Sequence, residues 1–147
     1  MGEAISLYGT WKLKSWVTEV LETKEQFTFF GSTPNGFIHF SNEGRTFALL
    51  TAEGRKPVQS EADQIDAFSS LVAYTGRYRI DGDRLVTTVD ASADPSWVGT
   101  ELVRFYKCDN DSLEITTAPF VSPKPSQALG EKLLQSYLLW QRESHLT

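Results

Sequence analysis

Apolar and polar residues alternate over most of the chain, and this period of two predicts strands with one buried face. The first such segment covers residues 9–22. Its predicted buried face carries Trp11, Leu13, Ser15 and Val17. The same alternation predicts further strands at 26–30, 37–40, 45–51, 75–80, 85–92, 100–108, 113–118 and 132–142. Most of the chain is therefore expected to be β-structure.

Residues that favour turns separate these segments at intervals of roughly ten residues. Ser41-Asn42-Glu43-Gly44 and Asp81-Gly82-Asp83 are each flanked by predicted strands, so they are expected to be hairpin turns. A long irregular connection is expected at 119–130. Short strands joined by polar turns at this spacing indicate an antiparallel sandwich or barrel.

One helix is predicted, over residues 61–73. Ser60 can cap its first free amide groups, and Asp63 places negative charge in the first turn. The predicted apolar stripe of this helix consists of Ile65, Phe68, Leu71 and Val72. A helix with a single apolar stripe is expected to cover the surface of the sheet.

Composition limits the classes of function. The 147 residues predict one domain, and a net charge of −5 without a basic run argues against nucleic acid as a partner. Two histidines and one cysteine are too few for the usual zinc, haem or iron–sulfur sites, so no metal and no cofactor is expected. No apolar segment approaches the length of a membrane span, which predicts a cytoplasmic protein without a membrane partner.

Aromatic residues make up 12% of the chain and include four tryptophans, which is enough to fill a core or to line a pocket. Some of these residues belong to five short motifs. The motifs are Gly9-Thr10-Trp11-Lys12-Leu13, Pro34-Asn35-Gly36-Phe37-Ile38, Tyr74-Thr75-Gly76-Arg77-Tyr78, Pro95-Ser96-Trp97-Val98-Gly99-Thr100 with Arg104 behind it, and Leu139-Trp140-Gln141-Arg142.

In this order, the five motifs resemble the short single-domain lipocalin-like family of bacteria and fungi over residues 7–142. The resemblance implies an all-β fold, an antiparallel β-barrel of about eight to nine strands with one short covering helix. It also implies a barrel domain at 7–143 with loose termini at 1–6 and 144–147. In such barrels a tryptophan of the first strand plugs the closed end and an arginine of the last strand stacks over it. Trp11 and Arg142 match these two positions.

The interior of a barrel of this size holds side chains or one small ligand. Alternation predicts inward faces that carry Tyr74, Tyr78, Thr87, Arg104, Tyr106, Gln135 and Tyr137. The expected ligand contacts are Tyr74, Thr87, Tyr106, Gln135 and Tyr137, together with Trp97. An apolar cup with a few polar groups is typical of a site for a small hydrophobic molecule.

Arg104, Tyr78 and His39 are the candidate catalytic residues. Inside a barrel, Arg104 requires an anion or hydrogen-bond acceptors, so it could bind a carboxylate, enolate or phenolate. The alternatives are an outward Arg104 paired with Glu101 or Glu114, or an inward one bonded to backbone carbonyls. His39 could act as a general acid or base, or lie on the strand surface.

Three functions remain open from the sequence. The first is a carrier that binds one aromatic or polycyclic molecule. The second is a cofactor-free enzyme that isomerises or cyclises a natural-product intermediate, although Thr87-Thr88 replace a histidine pair common in relatives. The third is an interaction protein with a fully packed barrel, and a homodimer is an additional partner to consider.

Overall fold

The computed structural model describes residues 6–121 and 132–143. Within these ranges the chain forms ten strands, one α-helix and one 3-10 turn. The strands are β1 (Gly9–Val20), β2 (Gln26–Phe27), β3 (Asn35–Phe40), β4 (Arg45–Thr51), β5 (Leu71–Asp81), β6 (Arg84–Ser92), β7 (Glu101–Cys108), β8 (Ser112–Thr117), β9 (Phe120–Val121) and β10 (Leu133–Arg142). Helix α1 covers Glu61–Ser69, and the 3-10 turn covers Pro95–Trp97.

Eight of these strands close into an antiparallel barrel, because β1 pairs with β3 on one side and with β10 on the other. The order around the barrel is β1-β3-β4-β5-β6-β7-β8-β10, and the two-residue strands β2 and β9 extend it at β1 and β10. The predicted antiparallel barrel is therefore confirmed. A short strand, β9, stands where the sequence predicted only an irregular connection.

A β-bulge in the first strand changes which side chains face the interior. The register with β10 shifts between Leu13 and Ser15, so the inward face continues through Trp16 rather than through Ser15. The prediction that Ser15 and Val17 share the face of Trp11 is therefore wrong. Trp16 packs instead against Phe30, with ring centroids 4.5 Å apart.

The predicted phase of the last strand is also wrong. The buried positions of β10 are Leu134, Ser136, Leu138 and Trp140. Gln135 and Tyr137 therefore lie on the opposite, outer face of the barrel, where the Tyr137 hydroxyl and the Gln135 side-chain oxygen are 3.0 Å apart. Gln135 also donates to the backbone oxygen of Thr117 at 2.9 Å. Both side chains are bonded on the outside of the barrel.

The helix is shorter than predicted and packs differently. Ser60 caps it as expected, accepting from the Asp63 amide at 3.1 Å, but α1 ends at Ser69 and the next residues join β5. Pairing of Leu71 with Thr51 on β4 outweighs the helical tendency of this segment. Ile65 and Phe68 remain 67% and 50% exposed, so the predicted apolar stripe does not cover the sheet.

One end of the barrel is closed by side chains from the chain's two ends. Trp11 is fully buried, and its Nε1 donates to the Leu7 backbone oxygen at 3.0 Å. The Arg142 guanidinium lies 4.1 Å from the centroid of the Trp11 ring and donates to the backbone oxygens of Tyr8 at 2.7 Å and Ser6 at 2.8 Å. The roles that the resemblance implied for Trp11 and Arg142 match this geometry.

Candidate functional site

The barrel interior is packed unequally. Inward residues of β1, β8 and β10 such as Leu13, Leu113 and Trp140 are fully buried. By contrast, Tyr74 on β5 and Arg104 and Tyr106 on β7 keep part of their surface accessible to solvent although they face the interior. These partly accessible inward side chains therefore lie on β5 and β7, whereas the inward side chains of β6 between them, such as Leu85 and Val89, are buried.

Arg104 is the charged group of this region. On β7 it pairs with Leu85 and Thr117, both of which belong to the inward face, so Arg104 faces the interior as the alternation predicted. Its Nη1 donates to the Val103 backbone oxygen at 3.2 Å, and none of the salt bridges among the described residues includes it. Burial lowers the pKa of Arg104, because the low-dielectric interior disfavours its charge.

Tyr74 interacts electrostatically with the Arg104 guanidinium. Burial raises the pKa of Tyr74, and the Arg104 guanidinium offsets part of this increase. The Tyr74 ring contacts the Trp97 ring, with centroids 5.7 Å apart. Trp97 is held there by the 3-10 turn, in which the Asp94 side chain accepts from the Ser96 amide at 3.0 Å. Tyr74 thus interacts electrostatically with Arg104 and contacts Trp97, and we name these three residues the mouth cluster.

Three other predicted residues face the interior with different surroundings. Thr87 is buried beside Tyr78 and Leu102 in the strand register. Tyr106 packs against the main core. The Tyr78 hydroxyl donates to the Ser41 backbone oxygen at 2.9 Å, and this hydrogen bond connects β5 to the β3–β4 hairpin. Tyr78 is therefore positioned for barrel closure, where it also packs edge-on against Phe40.

His39 lies on the outer face of the barrel. Its side chain is exposed, and Nδ1 lies 2.8 Å from the Thr10 hydroxyl oxygen. It lines an open groove of about 560 Å³ over β3 to β6, together with Phe37, Phe47 and also Tyr74 of the mouth cluster. The structure does not bring His39 together with Arg104 and Tyr78.

Sequence reasoning did not identify three inward polar groups. Among the described residues, the buried side-chain atoms without a hydrogen-bond partner are Trp16 Nε1, Trp140 Nε1 and Thr46 Oγ1. Their strand partners place all three residues on the inward face. Trp16 was missed because the bulge reverses its face.

Comparison with known proteins agrees with this geometry. The family model for a lipocalin-like domain matches residues 8–143, which is nearly the whole chain. The chain belongs to this lipocalin-like family. A search of curated proteins finds none that matches this lipocalin-like chain.

Within residues 6–121 and 132–143 of this lipocalin-like chain, no group of three or more His, Cys, Asp or Glu side chains is arranged to hold a metal ion. In the same part of the chain, no helix has the length and hydrophobicity needed to cross a membrane.

The mouth cluster consists of one guanidinium, one phenol and one indole, which are groups suited to hydrogen bonding and to contact with aromatic surfaces.

Proposed function

We propose that this lipocalin-like domain binds one small hydrophobic molecule, aromatic or polycyclic, in the barrel interior beside the mouth cluster. The observation that carries the proposal is the Tyr74–Trp97 pair, whose rings adjoin an inward face that is still partly accessible to solvent. Aromatic side chains give large contact area with little loss of side-chain entropy. A pair at the edge of a barrel interior is therefore suited to hold a flat apolar ligand.

A neutral fluorescent probe tests the proposal. N-phenyl-1-naphthylamine fluoresces strongly in apolar surroundings and carries no charge at neutral pH. We expect saturable binding to the wild-type protein, and an affinity at least about five-fold lower for Trp97→Ala and Tyr74→Ala, since each loses roughly 1 kcal/mol or more of ring contact. Fluorescence titration at constant protein concentration gives both affinities.

Phe47→Ala is the matched control, because Phe47 is an aromatic residue that is 52% exposed in the outer groove. Its variant should bind the probe as the wild type does. Loss of binding in Phe47→Ala with retention in Trp97→Ala would move the site to the outer face and contradict the proposal. A wild-type protein that does not bind the probe would instead support a packed interaction barrel.

A second candidate function is cofactor-free isomerisation or cyclisation of a natural-product intermediate. It is favoured by the electrostatic interaction between Arg104 and Tyr74, since a guanidinium can polarise a carbonyl while a phenol moves a proton. Tyr74→Phe keeps the ring and removes only the hydroxyl. In an enzyme this variant should lower kcat much more than it raises KM, whereas a carrier should bind its ligand unchanged.

A further inference from the structure

The charge balance of the barrel interior restricts the chemistry of the ligand. Arg104 brings a positive charge inside, and within the described part of the chain its side chain donates one hydrogen bond, to the Val103 backbone oxygen. The inward positions of the described barrel strands carry no Asp or Glu side chain. A buried charge without a counter-ion is costly, so an anion that entered the interior would gain a strong partner.

The unpaired polar side-chain atoms of the interior also favour a ligand that carries hydrogen-bond acceptors. Trp16 Nε1 and Trp140 Nε1 can only donate hydrogen bonds, and the Thr46 hydroxyl can donate as well; all three lack a partner among the described residues. Unpaired donors are satisfied by a ligand that supplies acceptors. The interior thus offers donors and one positive charge, with its aromatic surfaces at Tyr74 and Trp97.

We propose that the ligand is an aromatic carboxylic acid, bound with its carboxylate at Arg104 and its ring system against Tyr74 and Trp97. The planar guanidinium fork matches a carboxylate with two parallel hydrogen bonds. A carboxylate is also ionised at neutral pH, whereas a simple phenol is not. This inference deepens the proposed function and rests on it.

A pair of probes of nearly equal shape separates charge from hydrophobic contact. 2-Naphthoate carries a carboxylate, and 2-naphthamide is its neutral counterpart. Isothermal titration of the wild-type protein should show at least about ten-fold tighter binding of 2-naphthoate, which corresponds to about 1.4 kcal/mol. Arg104→Met should abolish this preference by weakening 2-naphthoate while leaving 2-naphthamide within about two-fold.

Arg77→Met is the matched control. Arg77 is an exposed arginine on β5 that lies between the inward-facing residues Gly76 and Tyr78. It should keep the full preference for 2-naphthoate. Arg104→Lys, which retains the charge but not the fork, should keep part of it. The near-ultraviolet circular dichroism of each variant confirms that the barrel is folded.

The outcomes distinguish this inference from the function on which it rests. Binding of N-phenyl-1-naphthylamine beside the mouth cluster, with equal affinity for the two naphthalene probes, would overturn the acid ligand and leave the carrier function intact. A preference that survives in Arg104→Met would overturn the role of Arg104. If none of the three probes binds the wild-type protein, both proposals fail.

Discussion

At the residue scale, Arg104 is the side chain whose surroundings least resemble those of a structural residue. Among the described residues, the arginines that form ion pairs are Arg45 and Arg79, and both pair with carboxylates at the surface. Arg142 is bonded to three backbone oxygens at the closed end. Arg104 has no carboxylate partner among the described residues and bonds one backbone oxygen, that of Val103 at 3.2 Å. So few partners are expected when a residue is kept for a ligand at the expense of stability.

The ligand-free protein should therefore become more stable when Arg104 loses its charge. We expect Arg104→Met to raise the free energy of unfolding by on the order of 1 kcal/mol, because an apolar side chain of similar length avoids the cost of burying an unpaired charge. Urea denaturation followed by tryptophan fluorescence measures the change. Arg77→Met should change it little, and a clear loss of stability in Arg104→Met would show that Arg104 is a structural residue.

At the element scale, strand identity was predictable from the sequence, whereas strand phase was only partly so. On β7 the alternation placed Arg104 and Tyr106 inward, as the register shows. On β10 leucines occupy both phases, at 133 and 134 and again at 138 and 139, so hydrophobicity cannot select a face. The bulge after Leu13 depends on pairing with a distant strand and leaves no local signal.

The corrected phase of β10 makes a prediction of its own. Tyr137→Ala removes an aromatic side chain from the outer face, and Tyr74→Ala removes one from the inner face. Fluorescence titration with N-phenyl-1-naphthylamine should show unchanged affinity for Tyr137→Ala and weaker binding for Tyr74→Ala. Equal losses in both variants would mean that the probe does not bind in the interior.

At the scale of the whole molecule, barrel closure depends on contacts between the last strand and the segment that precedes β1. Arg142 links the last strand to the backbone oxygens of Tyr8 and Ser6. It also donates to the Asn110 backbone oxygen at 2.7 Å, which connects the last strand to the β7–β8 hairpin. Arg142→Lys cannot reproduce these three donations or the stacking on Trp11. We expect the free energy of unfolding to fall by about 2 kcal/mol, measured by urea denaturation.

Gln141→Ala is the control for this substitution, because Gln141 is the exposed neighbour of Arg142 on the same strand. Its stability should stay within about 0.5 kcal/mol of the wild type. If Arg142→Lys is equally mild, the closed end is held mainly by the burial of Trp11 and Leu7. Probe binding should change little in either variant, since the mouth cluster lies at the other end of the barrel.

The surface carboxylates predict that the stability of the barrel depends on pH in the acid range. Asp90 on β6 accepts two hydrogen bonds from Arg45 on β4, at 2.9 and 2.8 Å, which connects strands on either side of β5. These bonds hold the pKa of Asp90 below its usual value of 3.8. Hydrogen bonds from Thr33 likewise lower the pKa of Glu53, and those from Ser112 and Asp111 lower the pKa of Asp109.

A carboxylate whose pKa is lower in the folded state stabilises the fold fully above its unfolded pKa, and this contribution is lost as the pH falls through the folded pKa. The urea midpoint of the wild-type protein should therefore be steady near neutral pH and decline as the pH falls below about 4. Asp90→Asn removes one titrating group, so its midpoint should be lower near neutral pH and fall less steeply in acid. Glu43→Gln, at an exposed hairpin position, should follow the wild-type curve. Parallel curves for Asp90→Asn and the wild type would show that the Arg45–Asp90 pair does not contribute to acid sensitivity, and that the decline comes from the other carboxylates.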